Sequence, residues 1–480
     1  MMSISTETSL DFTHFYNVIS GSLENEGKKQ YTLNPGTLEP NPAVPITSAG
    51  DIDRAVESAQ QAAKVWAQVP WPERKKAIES YTSALESNAD KFIEMLVKEQ
   101  GKPPFWAKNE FETGVSFLKG ICNLSLTEQT IEDTKERKVV THYTPLGVVV
   151  GVAPWNYPFH LACGKLGPAL LTGNAFILKP SPYTPYCSLK LAELGIQFFP
   201  PGVFQALSGD DSLGPLLTAH PKVSMVSFTG SASTGKRVME QCARTLKRVT
   251  LELSGNDPAI VCADVDPVDV ATKLALFAFC NAGQICMSVK RIYVHDAVYD
   301  QVLSAMVAVA QSFKVGIDPE AFLGPVAHKA QFERLKAVYA NLEANGFRIA
   351  CGGTKPLEET KGYFLPATIV DNPPDQAAVV QGEQFGPVIP LLRWSEESDV
   401  LLRANDSDAG LGASVWTRDG QQATRIASKL EAGNIWINTH AEIMPNTPFG
   451  GHKQSGFGLE WGVEGLKSYC NLRAVYSRAL

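Results

Sequence analysis

The 480-residue sequence has little of what builds metal centres, disulfide scaffolds or membrane spans. Its eight histidines include no HxxxH or HExxH pair, so no dedicated zinc or non-haem iron site is expected and the metal assignment is none. Nine cysteines, at 122, 163, 187, 242, 262, 280, 286, 351 and 470, form no CxxC pair and no even framework, which is the pattern of free thiols in a reducing compartment. No Lys or Arg precedes Lys28, and the first dozen residues carry Glu7 and Asp11 but no apolar run. That argues against a signal or transit peptide and for a cytoplasmic protein. The longest uncharged stretch, 139–164, is broken by Pro145, Pro154, Asn156 and Pro158 and does not read as a membrane span. The terminal Arg478-Ala479-Leu480 is not a Ser-Lys-Leu address. No basic cluster interleaves with aromatics and the net charge is -7, so no nucleic-acid partner is expected.

What is present is ordinary for a globular chain, with 44% hydrophobic and 19% charged residues, and long enough for two or more domains. Ile52, Val56, Ala59, Ala63 and Trp66 recur at helical spacing up to Pro70, and a second helical region runs from Pro72 to Gln100, where Gly101 and Pro103 stop it. The middle third alternates short β-branched runs with helix-length segments: 147–154, 175–181, 203–209, 223–230 and 248–255 as strands, with Lys165–Thr172 and Tyr186–Phe198 as crossovers. This is the pattern of a doubly wound parallel sheet. Beyond Ser254 a second α/β unit begins, with 268–279 helical, 291–295 extended and 300–314 helical. Two segments, Lys135–Tyr143 and Tyr469–Tyr476, fit neither unit and read as ribbon strands that pair internally or across a subunit boundary.

Several positions could carry chemistry, and each has a plainer alternative. The turn Phe228-Thr229-Gly230-Ser231 opens a helix, whose free N–H groups suit a pyrophosphate, yet it is not GxGxxG and glycine turns are commonly simple helix entries. Lys179 ends a strand where open α/β sheets bind nucleotides, or is a surface lysine. Cys286, in Gly283-Gln284-Ile285-Cys286, taken alone is more often a small buried hydrophobe than a nucleophile, as Cys280 illustrates. Glu252 ends a mostly apolar strand. Burial would raise its pKa toward that of a neutral-pH base, whereas a wet strand face would leave it ordinary. Asn156, between Pro154 and Pro158, can donate to an oxyanion or cap a turn.

In combination, Pro154-Trp155-Asn156-Tyr157-Pro158, Lys179-Pro180, Phe228-Thr229-Gly230-Ser231, Leu251-Glu252-Leu253-Ser254-Gly255, Gly283-Gln284-Ile285-Cys286, Glu383-Gln384-Phe385-Gly386-Pro387 and Pro448-Phe449-Gly450-Gly451 resemble the motif series of the aldehyde dehydrogenase superfamily of NAD(P)-dependent, non-acylating enzymes. The likeness runs from about residue 31 to the end.

The resemblance implies an α/β, aldehyde-dehydrogenase-like fold. Its parts would be a doubly wound, Rossmann-like cofactor domain (1–123 and 145–253), an α/β catalytic domain (254–455) and a small β-ribbon oligomerisation element (124–144 and 465–480). A homodimer or homotetramer follows, because lone ribbons have exposed edges. Carried over, Cys286 is the nucleophile, Asn156 and the Cys286 N–H hold the oxyanion, Glu252 is the base, and Lys165 and Glu460 form a proton route. The last assignment is softened because the usual Arg-Glu-x-Gly reads Leu459-Glu460-Trp461-Gly462.

Trp155, Lys179, Thr229, Gly230, Ser231, Leu253, Glu383 and Phe385 fall on the cofactor side, with Lys179 toward the adenosine ribose, Ser231 toward the pyrophosphate, Glu383 toward the nicotinamide ribose and Phe385 at the nicotinamide end. Pro182 stands where NAD-preferring relatives often place a Glu. With no arginine beside Lys179 to pair a phosphate, NAD is favoured and NADP is left open. Tyr157 and Phe449 would wall the substrate pocket, and Gly164, where relatives place a bulky aromatic, would open it to a bulky or aromatic aldehyde. The alternatives are a coenzyme A-acylating dehydrogenase, against which Glu252 argues, a cysteine thioesterase, for which no His is placed beside Cys286, and a non-catalytic relative, which would not need Cys286, Asn156 and Glu252 together.

Overall fold

The structure is a computed structural model that describes residues 10–353 and 361–478. The first nine residues, residues 354–360 and the last two lie outside it, and with them the ends of the expected cofactor domain and ribbon and a piece of the expected catalytic domain.

Two sheets and a ribbon organise the chain. The first has eight strands, in the order Ser22–Glu24, Asn17–Ile19, Phe204–Ala206, Ala175–Lys179, Val148–Val152, Met225–Thr229, Arg248–Glu252 and Gly456–Phe457. The central five are parallel and the edge strands are antiparallel. The chain moves outward from Val148–Val152 through the next two strands, then returns to place Met225–Thr229 and Arg248–Glu252 on its other side. That reversal opens a crevice beyond the carboxyl ends of the central strands, where such sheets bind ligands. Asn156, Lys179, Gly230 and Glu252 all stand at those ends.

The second sheet has seven strands, in the order Ile349–Cys351, Thr368–Asp371, Val388–Trp394, Val289–His295, Asp257–Val261, Gly412–Trp416 and Asn434–Ile437, parallel except for the first pair. Each sheet buries apolar clusters beneath its helices. The ribbon pairs Arg137–Pro145 with Cys470–Arg478 and, on the other side, with Gln129–Asp133. The two unplaced segments therefore pair internally, with a third strand that the sequence did not signal.

Two boundaries differ from expectation for visible reasons. The helical region expected from Pro72 to Gln100 is made of two helices, Trp71–Glu86 and Ala89–Gln100, with Asn88 at φ -111°, ψ 15° between them. The crossover expected from Lys165 begins at Pro158. The carboxylate of Glu110 accepts from the N–H groups of Phe159 (2.8 Å) and His160 (3.3 Å), satisfying helix donors that would otherwise be orphaned. Among the described residues no helix is long and apolar enough to cross a membrane.

The two sheets are joined by the short link 253–256. Here Gly255 passes so close to the Cys286 loop that a Cβ on it would overlap the Cys286 carbonyl oxygen. Gly255→Ala must push the two segments apart, and overpacking of this kind costs about 1–3 kcal/mol. Its melting temperature and turnover should both fall. A variant matching the unsubstituted protein in both would show that this contact does not constrain the site.

Candidate active site

Cys286 is presented by a strained but well-supported loop. The helix Pro267–Phe279, capped by the Asp266 side chain, runs into a single turn, Cys280–Gly283. Asn281 (φ 49°), Ala282 (φ 54°) and Gly283 (φ 69°) lie consecutively in the left-handed region, which costs a non-glycine residue about 1–2 kcal/mol. Side chains hold the turn. Gln284 donates to the Asn281 carbonyl (3.0 Å) and accepts from the Ala327 N–H (2.9 Å), and Asn281 Nδ2 donates to the Asn156 carbonyl (3.2 Å). On the other side of Cys286 His440 Nε2 donates to the Met287 carbonyl (3.0 Å).

Asn156 is fixed from both ends. Its Nδ2 donates to the Gln284 carbonyl (3.0 Å), which uses one amide hydrogen and leaves the second for a ligand. Its carbonyl accepts from Lys102 Nζ (2.9 Å), and Lys102 is ion-paired with Glu110, both side chains being fully buried. The same carboxylate that starts the following helix thus positions the loop before it.

Glu252 is buried, and neither carboxylate oxygen has a hydrogen-bond partner. Burial lifts it to about 7, against the opposing influence of the Cys286 thiol, the Lys165 ammonium and Thr229. The Cys286 thiol is pushed well above its ordinary range, first by burial and then by the Glu252 carboxylate. Lys165 Nζ donates to Ser227 Oγ (2.9 Å) and to Glu460 (2.8 Å), Ser227 Oγ donates to the same carboxylate oxygen (2.6 Å), and the Tyr469 hydroxyl closes the set (3.5 Å). Every member is buried.

Two cavities meet at these residues. A cavity of about 730 Å³ is lined by Cys286, Glu252, Asn156, Lys165 and Glu460 together with Tyr157 and Phe449. A second, of about 600 Å³, is lined by Trp155, Thr229, Gly230, Ser231, Leu253, Glu383 and Phe385. Asn156, Thr229, Glu252 and Cys286 face both.

The donors of the second cavity fit a nicotinamide dinucleotide. Ser231 caps the helix Ala232–Ala243, whose first N–H groups suit a pyrophosphate. Glu383 offers a carboxylate anchored by the Gly255 N–H (3.2 Å), and Phe385 stands edge-on to Trp155 (5.2 Å) as an apolar face. Lys179 lies outside this cavity, at the end of the neighbouring strand. It is buried rather than a surface lysine, and burial lowers it to about 8.

Residues 23–475 match the family model described as "Aldehyde dehydrogenase family". The chain belongs to that family. It is 39% identical over 467 residues to aldehyde dehydrogenase LUC3 from Fusarium sp., covering 97% of this chain and 99% of that one. Among solved structures it resembles an NADP-dependent enzyme from E. coli (TM-score 0.94, 32% identity, 98% of this chain and 99% of that one). It also resembles an indole-3-acetaldehyde dehydrogenase complexed with NAD+ (TM-score 0.95, 30% identity, 97% of each chain). As a family member the protein oxidises aldehydes with a nicotinamide dinucleotide, NAD or NADP.

Gly164 departs from its expected place. It does not line the aldehyde-side cavity, because the Trp461 indole covers it: a Cβ on Gly164 would lie 2.7 Å from Trp461 Nε1. Sequence reading also missed Lys102 and Glu110, which hold Asn156, and Cys280, which lines the cavity rather than the core. An acid and a base eight residues apart across a helix start were the only signal for the pair.

The electrostatics fix a pH dependence. A base must be ionised, and burial holds Glu252 protonated below about 7. Turnover should therefore fall about tenfold per pH unit on the acid side of that value. In Glu252→Gln this limb should vanish along with most of the steady-state rate. A wild-type profile flat from pH 5 to 8 would contradict the assignment of Glu252 as base.

Proposed function

We propose that this aldehyde dehydrogenase works through a covalent adduct on Cys286, and that the meeting of the two cavities at Asn156, Thr229, Glu252 and Cys286 carries the reading. Cys286 Sγ attacks the aldehyde carbon as its proton passes to Glu252. The carbonyl oxygen, now an oxyanion, is held by the Asn156 amide and the Cys286 N–H. A bound nicotinamide supplies the hydride acceptor. Loss of hydride from the tetrahedral carbon leaves a thioester on Cys286. Once that first proton has left Glu252, its carboxylate takes a proton from water, whose oxygen attacks the thioester carbonyl, and the acid departs as Glu252 returns this proton to Sγ. The buried set Lys165, Ser227 and Glu460 carries the surplus proton away from Glu252.

The substrate is a large apolar or aromatic aldehyde. Phe105, Trp106, Phe277 and Phe322 extend the cavity wall outward from Tyr157 and Phe449. Among the described residues the two lysines in the wall are each ion-paired, Lys165 with Glu460 and Lys273 with Asp269, so neither stands uncommitted for a second carboxylate. NAD is the preferred cofactor. Asp210 and Asp211 act electrostatically on Lys179, so negative charge already surrounds the position that a 2′-phosphate would approach.

The same reading divides the chain into a cofactor unit (1–123 and 145–253), a catalytic unit (254–455) and a ribbon (124–144 and 465–480). It makes the protein a homodimer or homotetramer. The ribbon's outer strand exposes Leu472, Val475 and Tyr476, and the edge strand of the second sheet exposes Ile435 and Ile437, two unpaired apolar edges suited to a second copy. The nine cysteines, all free, support a cytoplasmic setting.

Octanal oxidation followed by NADH absorbance tests the chemistry. Cys286→Ala should lose turnover by more than about a thousandfold while still binding NAD in calorimetry, and kcat/KM with NAD should exceed that with NADP by about tenfold or more. Undiminished turnover in the alanine variant would overturn the mechanism. Equal use of the two cofactors would overturn only the preference. Acyl-coenzyme A formation on adding the thiol would favour the acylating alternative.

A further inference from the structure

Trp461 sits where tryptophan seldom does. Its backbone, at φ 58° and ψ 175°, is in a region that belongs almost wholly to glycine, and the neighbours enforce it. Glu460 exchanges two backbone hydrogen bonds with Phe449 (2.8 Å each), the Gly462 N–H donates to Pro445 (3.0 Å), and the Gly465 N–H donates to the Trp461 carbonyl (2.7 Å). The indole this conformation delivers lies over Gly164, the residue whose missing side chain makes room for it. It packs against Phe117 (4.7 Å), Phe449 (4.9 Å) and His160 (5.6 Å). His160 is buried with both ring nitrogens unpartnered, and burial lowers it to about 3, so this wall carries no charge at neutral pH.

The wall is an inner one. Phe105 and Leu276, which line the same cavity, are exposed at its mouth, whereas Trp461 is 5% exposed and shares an apolar cluster with Leu161, Phe449 and the nucleophile Cys286. Strain at a functional site persists when the surroundings over-determine it, and what the strain achieves here is a ring in the apolar cluster against which Cys286 packs. We propose that Trp461 is a specificity-determining residue: its indole, seated over Gly164, narrows the cavity beside Cys286, so that aldehydes unbranched at the carbon next to the carbonyl are accepted and branched ones refused. The outer cavity still takes bulk further along the chain. This inference rests on the dehydrogenase reading above.

Octanal and 2-ethylhexanal are isomers that differ in branching at that carbon, and their kcat/KM ratio isolates the effect. The full-length wild-type enzyme should prefer octanal by about tenfold or more, the range that one misplaced small group produces in an apolar pocket. Trp461→Gly, whose backbone suits the observed φ, should bring the ratio to within about threefold. Gly164→Ala, which drives a methyl group into the indole, should widen the ratio in the wild-type background and leave it unchanged in the Trp461→Gly background, because coupled sites are non-additive.

If Trp461 merely steadied Glu460, its loss would slow both isomers alike. A wild-type ratio retained in Trp461→Gly therefore overturns the proposal, as does equal use of the two isomers by the wild type. Should Trp461→Gly fail to fold, an unchanged ratio in Gly164→Ala overturns it independently. Absence of NADH from every aldehyde with the wild type would instead overturn the dehydrogenase reading.

Discussion

The approach of the Gly255 backbone to the Cys286 carbonyl is the constraint on which the site depends. Glu252 ends the last parallel strand of one sheet and Cys286 belongs to a loop of the other, so their meeting requires the sheets to touch there with no side chain between them. Ser455 fastens the junction: its carbonyl accepts from the Leu253 N–H (2.9 Å), its hydroxyl donates to the Ser254 carbonyl (2.6 Å), and that hydroxyl accepts from the Gly410 N–H (2.9 Å). Glu383 holds the Gly255 N–H and Asn256 Nδ2 donates to the Val380 carbonyl (3.0 Å). The link between the sheets is therefore bonded on every side, and the left-handed turn before Cys286 can be sustained because its partners cannot retreat.

Buried charge in this protein positions groups more than it stabilises the fold. Desolvation largely cancels the attraction within a buried ion pair, but removing one partner leaves an uncompensated charge at a cost of about 3–5 kcal/mol. Lys102–Glu110 and Lys165–Glu460 are of this kind, the first bonded to the Asn156 carbonyl and the start of the following helix, the second to Ser227. The first pair sets the Asn156 loop against the helix that follows it. The second lines the same cavity as Glu252 and is tied to Ser227 Oγ.

Motif order singled out Cys286, Glu252 and Asn156 in the sequence, which the structure brings together where the two cavities meet, and alternation of strands and helices made the parallel sheets legible. Each residue taken singly pointed to a blander role, because burial decides the matter and burial is tertiary. Lys179 could be a surface lysine until the sheet was assembled around it, and Glu252 could face water. The exchange between Gly164 and Trp461 spans nearly three hundred positions. Each was visible as a departure from the common pattern, but nothing local says that the indole fills the vacancy, so the pocket read as more open than it is. The helix start at Pro158 was hidden for the same reason, since its cap comes from Glu110 on another helix.

A final consequence concerns the proton shared by the nucleophile and the base. Burial moves both groups toward their neutral forms, lifting Glu252 to about 7 and pushing the Cys286 thiol much higher. The two titrate as a pair, and in the resting site the proton belongs on sulfur. A free thiolate would be the more reactive species, but it would also be the more readily oxidised one, and burial in an aromatic-walled cavity disfavours its charge. Under the mechanism proposed above, transfer to Glu252 would become favourable only as sulfur engages an electrophilic carbon and the negative charge moves on to an oxygen that Asn156 could hold. The desolvation that keeps the Cys286 thiol protonated is the same desolvation that lifts Glu252 to about 7, so in that mechanism the apolar cavity would make the thiol reactive only in the presence of substrate.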